Sequence, residues 1–403
     1  MSTAAPDRAR RMTAVLRDQE TVTPLELFFD LVFVLALTQC TALMAAEPTW
    51  EGLAKGLLVL GVMWWSWVGY TWLTSVVDPE EGAVRLVMFA AMAAFLVASL
   101  CVPRAFEDSA LVFGLAYGAV RGAHIALFLL ASRDNPALRK STLGLAVSTA
   151  ISVGLVLVAS ATDGGLQGGL WALAIAVDTA GPYFFGVEGW TLVPRHFAER
   201  HGLIIIIALG ESIVAIGVGV TGTVDLGIVA AAVLGTVVAA ALWWLYFDVV
   251  ALVSTKRLGE TEEGRDRNEM ARDSFSYLHF PIVAGIVLVA LGMKKTIGDV
   301  EDPLKLVPTA ALLGGTALYL LGHVCFRLRN IHTLSSHRLG LAIVLLAFIP
   351  LAYELKLPAL GTVAILAASL VALIVSETHM YGEARARVRN ELRHEHQPNG
   401  ETT

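Results

Sequence analysis

The sequence predicts an all-α, polytopic membrane protein: about twelve transmembrane helices forming two parallel six-helix repeats, both termini cytoplasmic. Three observations carry this reading. Of 403 residues, 56% are apolar and only 16% charged, with mean hydropathy +0.67, where soluble domains carry about 25% charge. Lysines and arginines alternate from loop to loop, 22 on the side of the termini against 6 on the other. That bias sets cytoplasmic termini and an even helix count. Finally, sequence features recur at fixed offsets.

A span needs about 20 apolar residues. Twelve runs approach this: 25–46, 52–73, 83–102, 109–131, 142–160, 168–187, 202–220, 226–252, 275–293, 306–327, 339–353 and 359–379, the eleventh being short. The first begins at Thr23-Pro24-Leu25-Glu26, a capping box with proline at the first helical position. It has full membrane length and no small-residue cleavage site, so it reads as a retained helix rather than a signal peptide. Before it lies an arginine-rich cytoplasmic tail, 1–20. The repeats span 21–190 and 191–380, the second containing a longer cytoplasmic loop, 255–274. A polar tail, 381–403, follows and ends in disorder; its His394 and His396 read as solvated residues.

The offsets that define the repeat fall in one order along the chain. Asp30 and Glu211 are 181 residues apart, and Trp64-Trp65 and Trp243-Trp244 are 179 apart. His124 and His323 differ by 199, LGLA at Leu143 and Leu339 by 196, and Asp178 and Glu377 by 199. The longer loop explains the step of about 20 between the two sets. Six helices per half make both halves insert the same way up.

Acids within apolar helices are the first candidates for chemistry, because a carboxyl is costly to keep there. Glu26 and Asp30 share a face at i and i+4. Glu26 reads either as a cap or as a proton-carrying acid; Asp30, one turn deeper, is no cap. Glu211 lies nine residues past Gly202, about 13 Å into the bilayer, and suits a proton relay or a general acid. Its small neighbours Gly210 and Ser212 predict close helix contact. Arg121 is the one cation well inside a span, which demands a partner from Glu26, Asp30, Asp178 or Glu211. His124 shares its face. His279 and His323 are the other intramembrane histidines, each either a packing group or a relay member. Asp178-Thr179-Ala180-Gly181-Pro182 interrupts the sixth helix with a glycine and a proline, read either as a simple kink near the cytoplasmic end or as a break that frees carbonyls for a cavity or ion. The tryptophans of the second helix, Trp64, Trp65, Trp67 and Trp72, read mainly as interfacial anchors.

Several function classes are excluded. Net charge of −6 and pI near 5.9 argue against a nucleic-acid partner. Three cysteines, Cys40, Cys101 and Cys325, lie in apolar stretches at no metal spacing, so neither a disulfide framework nor a metal site is expected. No cofactor-binding motif occurs. The expected partners are the lipid bilayer and a small solute, ion or lipid substrate.

At LELFFDLVFVLALTQ, at ERHGLIIIIALGESIVAIG (Glu199–Gly217) and at SYLHFP (Ser276–Pro281), the chain resembles the bacterial low-temperature-requirement A family. The similarity runs from about Thr21 to Glu377. It implies an integral protein of the bacterial inner membrane linked to growth in the cold, without an assigned reaction. The family's motif acids fall on Glu26, Asp30 and Glu211, and its histidine on His279.

Three classes of function follow, in this order. The first is a carrier or ion pathway that uses buried carboxylates for proton or ion coupling, with Arg121, His124, Asp178, His279 and His323 as relay or substrate groups. The second is an intramembrane enzyme in which Glu211 or Asp30 acts as general acid on a lipid or isoprenoid, as in a cyclisation. The third is a membrane scaffold or sensor without chemistry. Aromatics gathered around the acids favour the enzyme; a continuous polar path favours transport.

Overall fold

A computed structural model describes residues 21–395 apart from 81, 187, 221 and 249. The tail 1–20 and residues 396–403 lie outside the described residues. Each of the twelve expected spans is a helix. They are α1 (Pro24–Ala46), α2 (Trp50–Val76), α3 (Gly82–Cys101), α4 (Ala110–Ala131), α5 (Pro136–Ala159), α6 (Gly164–Phe184), α7 (Pro194–Gly219) and α8 (Leu226–Phe247), then, after the short α9 (Val250–Glu260), α10 (Arg265–Gly298), α11 (Leu306–Ile331), α12 (Ser336–Glu354) and α13 (Ala359–Glu395). All but α6 and α9 carry an apolar stretch long enough to cross a membrane. No strand occurs among the described residues; Pro303 and Pro358 make one isolated antiparallel bridge.

Local chemistry sets the helix starts. In α1 the capping box closes both ways: the Thr23 N–H donates to Glu26 Oε2 at 2.8 Å, and the Glu26 N–H reaches Thr23 Oγ1 at 3.4 Å. Asn135 caps α5 ahead of Pro136, accepting from the Leu138 N–H at 3.0 Å. Asp225 caps α8 through the Ile228 N–H at 2.8 Å.

Two expectations about helix ends are corrected. The stretch 255–274 is helical except for 261–264, because α9 and α10 extend polar turns beyond the apolar runs. The Asp178–Pro182 segment does not break α6. Pro182 lies in the last turn, where a missing N–H costs a single helical hydrogen bond. Gly181 there lets α6 meet α5, since a Cβ would come within 2.4 Å of Ser148 Oγ.

The described chain divides into two compact units. One comprises α1 up to Ala36, Gly61–Phe197 and Glu263–Asn268. Its helices α3, α4, α5 and α6 pack in sequence order. Its centre is aromatic: Phe29 lies 4.8 Å from Tyr70, Phe33 6.1 Å from Trp67 and Trp64 5.0 Å from Trp67, ring centre to ring centre. Trp64, Trp65, Trp67 and Trp72 are all buried, so they are core residues and not interfacial anchors. A buried position suits an indole once its N–H meets an acceptor.

The other unit comprises Leu37–Leu60, Ala198–Glu262 and the chain from Glu269 onward. Here α10 is the most buried span and α12 the least. Glycines let α10 approach α11: a Cβ on Gly285 would stand 2.6 Å from the Gly315 carbonyl oxygen, and one on Gly292 2.6 Å from Leu312 Cβ. Helix α13 also packs on α8. Two π-helical stretches, Ala271–Tyr277 in α10 and Ala310–Gly314 in α11, interrupt the regular winding.

Candidate functional sites: buried acids and their partners

Glu26, Asp30, Arg121, His124 and Asp178 fall in the first unit; Glu211, His279 and His323 fall in the second. All eight are buried.

At the start of α1, Glu26 does more than cap. Its second oxygen, Oε1, stands 2.7 Å from His196 Nε2, and both side chains are fully enclosed. Hydropathy misses His196 because α7 begins at Pro194, eight residues before its apolar run, so that His196 counts as loop. One turn deeper, Asp30 Oδ1 accepts from the Trp67 indole N–H at 2.8 Å. The same aromatic group of Phe29, Phe33, Trp64 and Tyr70 gathers nearby.

Arg121 takes Asp178 from among its candidate partners. Its Nη2 lies 2.8 Å from Asp178 Oδ1 and 2.8 Å from Thr149 Oγ1, and its Nη1 reaches the Trp65 carbonyl at 3.4 Å. Asp178 also accepts from Thr149 at 3.1 Å and from Tyr117 at 3.2 Å. The acid of α6 is thus met by donors from α4 and α5. His124 adjoins this group: a Cβ on Gly69 would come 2.9 Å from His124 Cε1 and 3.0 Å from Arg121 Nη1. Only glycine fits beside both.

The second unit holds a group of the same composition. Arg338 grips Glu377 bidentately through one edge of its guanidinium, Nε to Oε1 and Nη2 to Oε2, each at 2.8 Å. Its Nη1 donates to His323 Nδ1 at 2.6 Å and to the Leu245 carbonyl at 3.2 Å. Arg338 and the fully buried Arg200 are further buried cations, nearer the starts of their helices than Arg121 is to the start of α4. They lie in the polar opening turns of α12 and α7, which a hydropathy window assigns to loops. The recurrence of Asp178 as Glu377 is the signal in the sequence that a second cation is required.

Glu211 is different. It is buried, yet no ion pair reaches it among the described residues; Thr38 Oγ1 donates to its Oε2 at 2.5 Å. Its neighbour Ser212 is buried, but Gly210 is exposed, and nothing lies within 4 Å of the place a methyl group there would take. The close helix contact expected at Gly210 is absent. His279 shares a hydrogen bond with Tyr246 Oη at 2.8 Å, and its Nδ1 lies 2.9 Å from the Ser274 carbonyl oxygen.

Apolar helices of membrane length around buried, internally paired charges define a multi-pass integral membrane protein with a polar interior. Residues 21–375 match the family model described as bacterial low temperature requirement A protein (LtrA), and the chain belongs to that family. It is 29% identical over 340 residues to an uncharacterized protein of Rhizobium meliloti (strain 1021), covering 80% of this chain and 81% of that protein. No solved structure matches the chain.

Proposed function

We propose that this protein is a carrier or ion pathway of the bacterial cytoplasmic membrane, in which Glu211 binds and releases a coupling proton or cation. The observation that supports this most is an inequality among the buried acids. Asp178 and Glu377 are tied to arginines and Glu26 to a histidine, whereas Glu211 is held by the Thr38 hydroxyl. An acid in a buried ion pair is costly to neutralise, since the arginine would be left alone. A threonine hydroxyl both donates and accepts. It can donate to a carboxylate and turn to accept from a carboxylic acid, so Glu211 keeps its hydrogen bond in either state. The same hydroxyl oxygen also suits a bound cation. On this reading the chain is two copies of a six-helix unit with both termini in the cytoplasm, and the matching acid positions in the two halves support it.

The test is flux. The protein is reconstituted in liposomes that contain a pH-sensitive dye, and an ion or pH gradient is imposed. The wild type is expected to dissipate it and Glu211→Gln to stop the flux while remaining folded. Wild-type vesicles no leakier than empty ones across a panel of ions would sink the proposal.

The aromatic residues around Asp30 favour a second reading, general-acid chemistry on an isoprenoid or other lipid, in which the rings stabilise a cationic intermediate. Mass spectrometry of lipids that co-purify with the wild type and with Asp30→Asn tests it. A lipid altered by the wild type and unaltered by the variant would put this reading first. A scaffold without chemistry predicts that both substitutions change stability and nothing else.

A further inference from the structure

Tyr246 of α8 and His279 of α10 form a hydrogen-bonded pair whose proton positions follow from their partners. A carbonyl oxygen only accepts, so the 2.9 Å contact with Ser274 places the imidazole proton on Nδ1. Nε2 then carries a lone pair, and the Tyr246 hydroxyl donates to it across 2.8 Å. The backbone prepares this arrangement. In the π-helical stretch Ala271–Tyr277 the Leu278 N–H bonds the Asp273 carbonyl at 3.1 Å, one residue further back than α-helical winding would take it. The Ser274 carbonyl meets the His279 ring instead.

We propose that Tyr246 and His279 are a proton-loading station of this unit. A proton arriving at Tyr246 Oη forms a new O–H bond as the existing hydroxyl proton passes to His279 Nε2. Tyrosine stays neutral, imidazole becomes imidazolium, and no electrons are transferred. Three contacts offset part of the cost of burying that charge. Nδ1–H already rests on a carbonyl, and the tyrosine oxygen can turn to accept. Phe275 stacks on the ring at 5.2 Å with an 11° tilt, offering a face that attracts cations.

The groups that face His279 select it over its neighbours. From α7 comes His201, at 5.2 Å between ring centres. From α11 comes His323, whose ring, like that of His279, lies beside Tyr246, at 5.9 and 5.7 Å respectively. Behind it stand Arg338 of α12 and Glu377 of α13, paired with each other. A guanidinium only donates, so His323 Nδ1 is taken as an acceptor by Arg338 and is closed to a further proton. Of the two histidines against Tyr246, His279 alone has a nitrogen that can be charged through the hydroxyl. His201 lies ten residues before Glu211, about 15 Å along α7. The pair and Glu211 would thus be stations at two depths of one unit, an inference that rests on the proton-carrying reading of Glu211.

The test uses His279→Gln, which keeps an acceptor for Tyr246 and a donor for Ser274 but cannot hold an extra proton, and Tyr246→Phe. In the liposome assay each is expected to lower proton flux by about a hundredfold with an unchanged melting temperature. Flux that Glu211→Gln abolishes and these two variants leave intact would overturn this inference and leave the reading of Glu211 standing. If the wild type moves no protons, that reading falls, and nitrogen NMR of histidine-labelled protein decides this one alone. As pH is lowered, His279 Nε2 should shift from unprotonated to protonated in the wild type, more slowly in Tyr246→Phe. An Nε2 that stays unprotonated at every pH at which the protein remains folded overturns the proposal.

Discussion

Arg121 and Arg338 hold acids that are 199 residues apart, Asp178 and Glu377, yet reach them from different helices. Each guanidinium also bonds a main-chain carbonyl, Trp65 or Leu245, and these are 180 residues apart. Each lies in a group with a histidine, His124 or His323, again 199 apart. The acid and the histidine recur at one spacing, 199, and the carbonyls lie one residue off the 179 that relates the two Trp-Trp pairs. The arginine does not recur: the residue 199 after Arg121 is Leu320, and the residue 196 before Arg338 is Thr142. What is kept is the charge that a buried acid requires, whichever backbone position supplies it.

Removing one member of the bidentate pair should cost more than removing both. Arg338→Leu leaves Glu377 charged and buried, at an expected cost of about 3–5 kcal/mol. The double variant Arg338→Leu/Glu377→Leu should recover most of it. Unfolding midpoints in detergent read the difference; a double variant as unstable as the single one would show that the arginine acts through packing alone.

The Glu26–His196 contact should appear as coupling. Glu26→Gln retains an acceptor for the Thr23 N–H, so the cap survives while the acid is lost. A cycle of Glu26→Gln, His196→Gln and the double variant should show a coupling of about 0.5–3 kcal/mol. Thr23→Ala should cost about 1 kcal/mol independently. Additive effects at 26 and 196 would reduce the pair to coincidence.

Two glycines should respond to alanine with opposite signs. At Gly285 the new methyl group meets the Gly315 carbonyl oxygen at 2.6 Å, backbone that cannot step aside, and a loss of about 1–3 kcal/mol is expected. At Gly210 nothing lies within 4 Å, so Gly210→Ala should be neutral or stabilising by up to about 1 kcal/mol through helix propensity. Thermal melts of both variants check this, and equal shifts would count against the α10–α11 contact.

Orientation is open to reporter fusions. Green fluorescent protein joined after Thr403 should fluoresce, and a cysteine placed at Asp299, in the connection between α10 and α11, should react with an impermeant maleimide added outside intact cells. A cysteine in the connection between α4 and α5 should not. The reverse labelling pattern would invert the topology derived from the lysines and arginines.

The helices were legible because hydropathy is a property of composition over about 20 residues, which the chain displays directly. Their ends were not. α7, α10 and α12 each begin with polar turns, and these hold His196, Arg200, Arg272 and Arg338. A polar residue at a span boundary reads the same whether it meets water or a buried acid. The acids Glu26, Asp30, Asp178 and Glu211 were visible as charges in apolar helices, with the capping box at Glu26 given by four consecutive residues. Which donor each acid meets was invisible. Trp67 to Asp30 and Tyr246 to His279 are 37 and 33 residues apart, and they join through packing that no local pattern encodes.

By itself, then, the sequence determined that the chain is a helical membrane protein, where its apolar spans run and which acids lie inside them, because burial of apolar length and exclusion of charge act residue by residue. The tertiary structure alone decided that Asp178 and Glu377 are locked by arginines, that Glu26 answers to His196, and that Glu211 meets the Thr38 hydroxyl. Those choices depend on which helix faces meet, and in a bilayer that is set by close packing and hydrogen bonding between helices and not by hydrophobicity.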